Sequence, residues 1–465
     1  MSHRHSHQPT RRGFVTGCSA AVAAYAGTSF NTLAFGEPGS NDEILVSVFL
    51  RGGIDGLNLV VPIAGADRGH YETARPNLQV PVSGSNAALP LNAQFGLHPR
   101  TNTWPDGTGV PPATLYDLYQ DGRLSVVLAA GMHEDNRSHF DSMAFMELGT
   151  PGSLTTATGW LTRHLASADN LPQEIVMPAL SVGNLQQISL RGSTEAVNMT
   201  SPDSFSLNVG PFDWRDAQRV ALRNLYSGTS WLHQAGTETL DAIDVIELNG
   251  GDDDGAANGA IYPGGSFGSH LRTIARMIKL DLGLRVATVD FGGWDTHNGQ
   301  GDDGGGYFGS HVEELARGLA AFYTDLDGVG GQNYTQRTTV VIQSEFGRRL
   351  RENADRGSDH GHGNALMVLS GNATGGIHGN WPGLANEQLY QGADLEVTTD
   401  YRRVLSEVLI RRMGNPNLGT VFPGFGDYTP LGVVSGTDLP PIFGAGIFED
   451  GFESGDLSAW SSVTG

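Results

Sequence analysis

Apolar residues are concentrated in short runs that are separated by glycine-rich or polar stretches. Several runs are continuous and rich in β-branched residues, a pattern typical of strands buried on both faces of a parallel sheet. Between them, apolar residues recur at helical spacing, as in the stripe Val312, Leu315, Leu319, Phe322 and Leu326. The predicted strands are Ile44 to Leu50, Leu124 to Ala130, Ala179 to Val182, Arg285 to Phe291, Thr338 to Gln343 and Ala365 to Leu369.

This alternation of strands and helices predicts an α/β fold with a doubly wound, mostly parallel sheet and helices on both faces. The predicted domain spans roughly residues 40–425. Asp400 is expected to cap one helix, and another helix is expected near Asp216 to Trp231. We interpret residues 192–262 as an inserted cap over one face of the sheet.

The N-terminus pairs Arg11 with Arg12 ahead of a mildly apolar run, Gly17 to Ala34. This arrangement resembles a twin-arginine export signal, which predicts a signal peptide over residues 1–36, the twin-arginine translocase as a partner and a periplasmic or extracellular location. The small residues of the run predict no stable membrane anchor. A chance arginine pair before an ordinary helix, or lipidation of Cys18, are the alternatives.

Composition narrows the chemistry further. Asp and Glu number 50 against 28 Lys and Arg, giving a formal net charge of −22. Such a charge repels phosphate backbones and anionic lipids, so we expect no nucleic-acid partner. The single cysteine, Cys18, lies in the predicted signal. The mature chain would therefore have no disulfide, thiolate ligand or cysteine nucleophile.

Acidic residues and histidines occur where the predicted strands end. Ligands of open α/β sheets bind beyond the carboxyl ends of strands, so these side chains are expected to meet. Carboxylate and imidazole suit a divalent cation, whether zinc, manganese, iron, magnesium or calcium. Local caps and a solvated polar turn are the alternatives. The candidate metal ligands are Asp55, Asp295, His297, Glu345, Asp359, His360 and His362.

Ser138 is the candidate nucleophile, because it precedes a predicted helix and its hydroxyl would lie beside free backbone N–H groups. His139 is the candidate residue that assists it, and a simple N-cap role for Ser138 is the alternative. A pair of metal ions could activate a hydroxyl at such a site. Arg137, Arg348 and Arg349 could contact an anion, although residues 348–351 could equally begin a solvated helix.

Five motifs occur in order along the chain: Phe49-Leu-Arg-Gly-Gly-Ile-Asp-Gly-Leu-Asn58, Asn136-Arg-Ser-His-Phe-Asp141, Gly293-Trp-Asp-Thr-His297, Ser344-Glu-Phe-Gly-Arg348 and Asp359-His-Gly-His-Gly363. Together they resemble domain-of-unknown-function family 1501, a bacterial family exported by the twin-arginine pathway and grouped with the alkaline phosphatase and sulfatase superfamily. The resemblance implies that superfamily's fold. It also implies Asp55 as a metal aspartate, Ser138 as the nucleophile, and ligands at Asp295 with His297, at Glu345, and at His360 or His362.

The sequence departs from the superfamily's pattern in three places. Asp295 and His297 are closer together than is usual, and Glu345 with Phe346 stands where an Asp-His pair is usual, which could leave a second metal short of a ligand. Without cysteine, and with His-Phe-Asp after Ser138, the formylglycine mechanism of sulfatases is not expected. The family itself has no settled activity.

We therefore expect an exported metal-dependent hydrolase that acts on anionic phosphate or sulfate esters, either small molecules or polymers. The alternative is a catalytically inactive, metal-containing binding or assembly protein of the bacterial envelope. Residues 426–465 form a predicted C-terminal tail, in which the acidic and aromatic stretch from Ile447 to Trp460 resembles a sorting tag. A disordered tail is the other interpretation.

Overall fold

The computed structural model describes residues 41–104, 113–171, 177–207, 214–249 and 255–444. The predicted signal peptide and the tag-like stretch of the tail lie outside these residues. In the part of the chain that is described, no helix is long and apolar enough to cross a membrane.

The described residues form an α/β structure around a largely parallel sheet of nine strands. This confirms the fold class at the level of a mixed α/β protein with such a sheet. The strand order is β13-β5-β12-β9-β1-β8-β6-β7, and β14 extends the sheet beside β5. These strands are β1 (Ile44–Leu50), β5 (Leu124–Gly131), β6 (Ala179–Val182), β7 (Ala196–Met199), β8 (Val286–Phe291), β9 (Thr338–Gln343), β12 (Asn364–Ser370), β13 (Gly376–His378) and β14 (Thr399–Asp400).

Two small antiparallel sheets flank the large one. One has the order β2-β4-β3, and the other is the hairpin β10-β11. Their strands are β2 (Val60–Pro62), β3 (Leu89–Pro90), β4 (Phe95–Leu97), β10 (Arg348–Glu352) and β11 (Ser358–His360).

Helices cover both faces of the large sheet. Val46 and Val48 of β1 belong to one hydrophobic cluster, whereas Leu45 and Phe49 belong to another on the opposite face. Because both faces are covered, β1 is apolar at nearly every position. The helices are α1 (Gly56–Leu59), α2 (Gly65–Ala74), α3 (Leu115–Gln120), α4 (His139–Leu148), α5 (Trp160–Ser167), α6 (Arg215–Leu225), α7 (Trp231–Asn249), α8 (Ser266–Lys279), α9 (Gly306–Leu326), α10 (Tyr401–Arg411) and α11 (Leu418–Val421).

Strand β12 is the exception to the parallel arrangement, because it runs antiparallel to both of its neighbours, β5 and β9. The expectation of a parallel strand here was wrong. The reversal matters for the site, since the N-terminal end of β12 lies at the same edge as the carboxyl ends of β1, β5, β8 and β9. The Asp359–His362 segment, which precedes β12, is thereby brought to that edge.

Three local expectations also change. The helix expected near Asp216 to Trp231 is two helices, α6 and α7, separated by a stretch that contains Gly228 and has low helix propensity. The segment interpreted as a cap contributes β7, which pairs in parallel with β6 at the edge of the large sheet. Residues 348–352 form strand β10 and no helix.

Candidate metal centre

Four side chains converge at the strand-end edge of the sheet: His139 from the start of α4, Asp295 and His297 from the loop after β8, and His360 from the end of β11. The ligand atoms of His139, Asp295 and His360 lie within 4.8 Å of one another. Asp295 Oδ1 lies 3.3 Å from His139 Nε2, 3.1 Å from His297 Nε2 and 3.2 Å from His360 Nε2. His297 Nε2 is also 2.8 Å from His360 Nε2. Three imidazole nitrogens therefore surround one carboxylate oxygen.

The opposite nitrogen of each ring is held by an oxygen. His139 Nδ1 lies 2.7 Å from Glu345 Oε1, and His360 Nδ1 lies 2.8 Å from the backbone oxygen of Arg137. His297 Nδ1 lies 3.3 Å from Asp359 Oδ1. A carbonyl oxygen or an ionised carboxylate can only accept a hydrogen bond, so each Nδ1 carries the proton and donates it.

This assignment leaves the Nε2 lone pair of each neutral ring directed toward Asp295. The three nitrogen lone pairs and the carboxylate oxygen are all hydrogen-bond acceptors. His139 Nε2 is, in addition, buried without a hydrogen-bond partner among the described residues. Acceptors brought this close repel one another unless a cation or a proton lies between them. Metal-binding histidines typically donate the second ring N–H to a carboxylate or a carbonyl, as all three rings do here.

Arg348 holds the carboxylate of Asp295 in place. Its guanidinium is 1% exposed, and it donates to Asp295 Oδ1 over 2.7 Å and to the backbone oxygens of Gly53 and Ser358. Although burial opposes the effect, the hydrogen bond and charge of Arg348 lower the pKa of Asp295 to about 2. Asp295 is therefore ionised at neutral pH.

The histidines differ in electrostatic environment. The hydrogen bond to Glu345 raises the pKa of His139, whereas burial lowers the pKa of His360. The pKa of Asp359 is lowered, mainly by the hydrogen bond from Asn353. An ionised Asp359 is consistent with its role as the acceptor for His297.

Local sequence explains how the ligands are positioned. Ser138 is the N-cap of α4, and its Oγ accepts from the Asp141 N–H, which places His139 in the first turn beside the sheet edge. Gly52 follows β1 with φ at +118°, and a Cβ there would lie 2.6 Å from the backbone nitrogen of Asp295. Only glycine fits there without displacing the Asp295 loop. Phe346 packs against the rings of both His139 and His360.

Two predicted ligands lie apart from this cluster. Asp55 is fully buried and forms a 2.6 Å ion pair with Arg75, while Gln300 donates to the same oxygen. His362 stacks on Tyr390 with ring centroids 4.1 Å apart, and burial lowers its pKa to about 4. Glu345 and Asp359 contact histidines, so in this geometry they orient the rings.

The cluster is open to solvent on one side. The side chains of Asp295 and His297 are 48% and 43% exposed, whereas those of His139 and His360 are about 20% exposed. A ligand can therefore reach the convergence point from the His297 side. The sequence predicts a catalytic role for His139, and its position in the motif does not indicate that its Nε2 lies with the candidate ligands.

The fold and the site define a mixed α/β protein whose sheet carries, at its carboxyl edge, a histidine-rich cluster with the geometry of a metal-binding site. Residues 242–417 match a family described as "Protein of unknown function (DUF1501)". The match supports the resemblance to that family over this stretch, which includes Asp295, His297 and His360 but neither Ser138 nor His139. Neither a curated protein nor a solved structure matches the chain significantly.

Proposed function

We propose that this protein is an exported metal-dependent hydrolase of phosphate or sulfate esters with an alkaline-phosphatase-like fold. The observation that carries the proposal is the convergence of three Nε2 atoms on Asp295 Oδ1, with every Nδ1 donating to an oxygen. His139, Asp295, His297 and His360 would hold one divalent cation. Twin-arginine export to the periplasm or beyond belongs to the same proposal.

The donor set favours some cations over others. Three imidazoles and one carboxylate suit zinc, manganese or iron, whereas magnesium and calcium prefer ligand sets made of oxygen. A bound cation would supply Lewis-acid chemistry, polarising the ester oxygens and neutralising the charge that develops on them. The exposed side of the cluster gives an ester access to it.

The neighbouring residues fit a nucleophilic mechanism. Ser138 immediately precedes the candidate ligand His139 in the chain. Its Oγ accepts only a long 3.4 Å hydrogen bond from the Asp141 N–H. Its hydroxyl is thus available to attack the ester. His139 Nδ1 is held by Glu345 and its Nε2 faces Asp295, so a cation at the convergence point would occupy the lone pair that a general base needs. This argues against His139 as the base and for a role as a ligand.

A second candidate is a metal-containing binding or assembly protein of the envelope without turnover. The observation that favours it is the ion pair between Asp55 and Arg75, which occupies a carboxylate that was expected to bind metal. A single cation with a partly exposed rim could bind an anionic group and leave it intact.

Elemental analysis and activity assays separate these candidates. We expect protein exported through the native pathway to contain about one equivalent of a transition metal and to hydrolyse aryl phosphates or aryl sulfates. His360→Ala should lose the metal, and His362→Gln is the matched control that should retain it. Ser138→Ala should retain the metal and lose turnover. Metal without turnover, unaffected by Ser138→Ala, would favour the second candidate, and absence of metal from folded wild-type protein would refute both.

A further inference from the structure

Two arginines beside the metal centre share one buried carboxylate. Arg137 donates from NH2 to Asp394 Oδ2 over 2.6 Å, and Arg349 Nε lies 3.7 Å from Asp394 Oδ1. The Asp394 side chain has no exposed surface, whereas those of Arg137 and Arg349 are 30% and 43% exposed. Both guanidinium groups are therefore held near one another, with part of each open to solvent.

The two guanidinium groups have N–H donors that the described residues do not use. A guanidinium carries five N–H donors. Arg137 uses NH2 on Asp394 and on Gln391, whereas the Nε atoms of Arg137 and Arg349 are buried with no hydrogen-bond partner among the described residues. Two further carboxylates lie nearby, and each accepts a hydrogen bond from an amide: Asp359 from Asn353 and Asp135 from Gln391.

The backbone connects both arginines to the candidate ligands. The backbone oxygen of Arg137 accepts from His360 Nδ1, on the side of the ring that faces away from the convergence point. Arg349 adjoins Arg348, which pairs with His360 across the β10-β11 hairpin and donates to Asp295. Arg348 is thus the arginine nearest the ligands, and it is already committed to Asp295.

We propose that Arg137 and Arg349 form an anion subsite that binds a second phosphate, sulfate or carboxylate group of the substrate. The inference rests on the proposed function and narrows its substrate class to esters that carry another anionic group near the reacting one. Guanidinium groups suit this role, because their planar donors match the oxygens of such anions. The two guanidinium groups carry one more charge than the carboxylate of Asp394 that they share, and this excess would attract an anion locally.

The test compares ligands that differ by one anionic group. Isothermal titration calorimetry on metal-loaded protein would measure the affinity for phenyl phosphate and for 3- and 4-carboxyphenyl phosphate. Low temperature or Ser138→Ala would keep turnover slow during the titration. We expect at least one carboxylated ligand to bind about 10- to 100-fold more tightly, as charge-assisted hydrogen bonds typically give. Arg349→Gln should remove most of that preference while leaving metal content and phenyl phosphate affinity unchanged.

Arg351→Gln is the matched control, since Arg351 is an exposed cation on the same strand. Arg137 is left intact, because its loss would leave the buried carboxylate of Asp394 without its closest cation. A preference that disappears in Arg349→Gln and persists in Arg351→Gln supports the subsite. Equal affinity for all ligands, or a preference that survives Arg349→Gln, overturns it even when metal is bound. Absence of metal would instead refute the proposed function, and the subsite with it.

Discussion

Glu345 provides the sharpest test of the proposed metal centre, because it is buried and contacts one candidate ligand, His139. Its Oε1 accepts from His139 Nδ1 over 2.7 Å and from the Gly52 N–H over 2.8 Å, and its side chain is fully buried. Glu345→Gln preserves the shape and one acceptor oxygen but removes the charge. The ring of His139 then becomes a weaker ligand, and its orientation is less firmly fixed.

Loss of such a supporting partner typically reduces metal affinity by about 10- to 100-fold, which corresponds to roughly 1.4–2.8 kcal/mol. The short, buried contact of Glu345 places the expected effect near the upper end of that range. Asp359, which contacts His297 over 3.3 Å and is 48% exposed, should give a smaller loss as Asp359→Asn. Competition with a metal chelator at fixed pH would measure both affinities.

Glu352→Gln is the matched control, because Glu352 lies on the β10-β11 hairpin, accepts hydrogen bonds from Asn77 and Leu78, and contacts no candidate ligand. Its metal affinity should equal that of the wild type. The reasoning fails if Glu345→Gln folds normally and binds metal as tightly as the wild-type protein and the control.

Three further predictions concern stability. Asp55→Asn should destabilise the fold by about 3–5 kcal/mol in urea denaturation, because it leaves the buried Arg75 unpaired. The variant should nevertheless retain its metal content. Metal loss with unchanged stability would contradict this prediction. Arg348→Met should lower the free energy of unfolding by about 1–3 kcal/mol, since the buried backbone oxygens of Gly53 and Ser358 lose their donor, and an unchanged unfolding midpoint would count against it. Burial lowers the pKa of His164 from 6.5 to about 4, so below pH 6.5 the unfolded chain takes up a proton that the folded chain does not. Stability should fall by roughly 3 kcal/mol as the pH drops from about 6.5 to 4, and this part of the dependence should vanish in His164→Gln if the protonation argument is correct.

The secondary structure was largely readable from the sequence. Continuous apolar runs predicted strands at 44–50, 179–182 and 338–343, and the structure has those same bounds. The N-cap roles of Ser138 and Asp400 were also confirmed. These features depend on side-chain periodicity and on local hydrogen bonds, both of which involve residues that are close together in the sequence.

Strand direction was not readable in the same way. Strand β12 has the same apolar character as β9, and nothing in its residues indicates that it runs in the opposite direction. Direction depends on the path of the connecting chain, which here returns through the β10-β11 hairpin. That hairpin also carries His360 to the site.

The sequence by itself determined the α/β class, the buried strands and the concentration of carboxylates and histidines at strand ends. Only the tertiary structure decided which of those residues meet. Asp55 and Asp295 both follow buried strands, yet the carboxylate of Asp55 is neutralised by Arg75, the C-cap of α2, while that of Asp295 faces three imidazoles. A side chain's partner comes from residues distant in the chain, so its role as a structural ion pair or as a ligand depends on packing that no local pattern encodes.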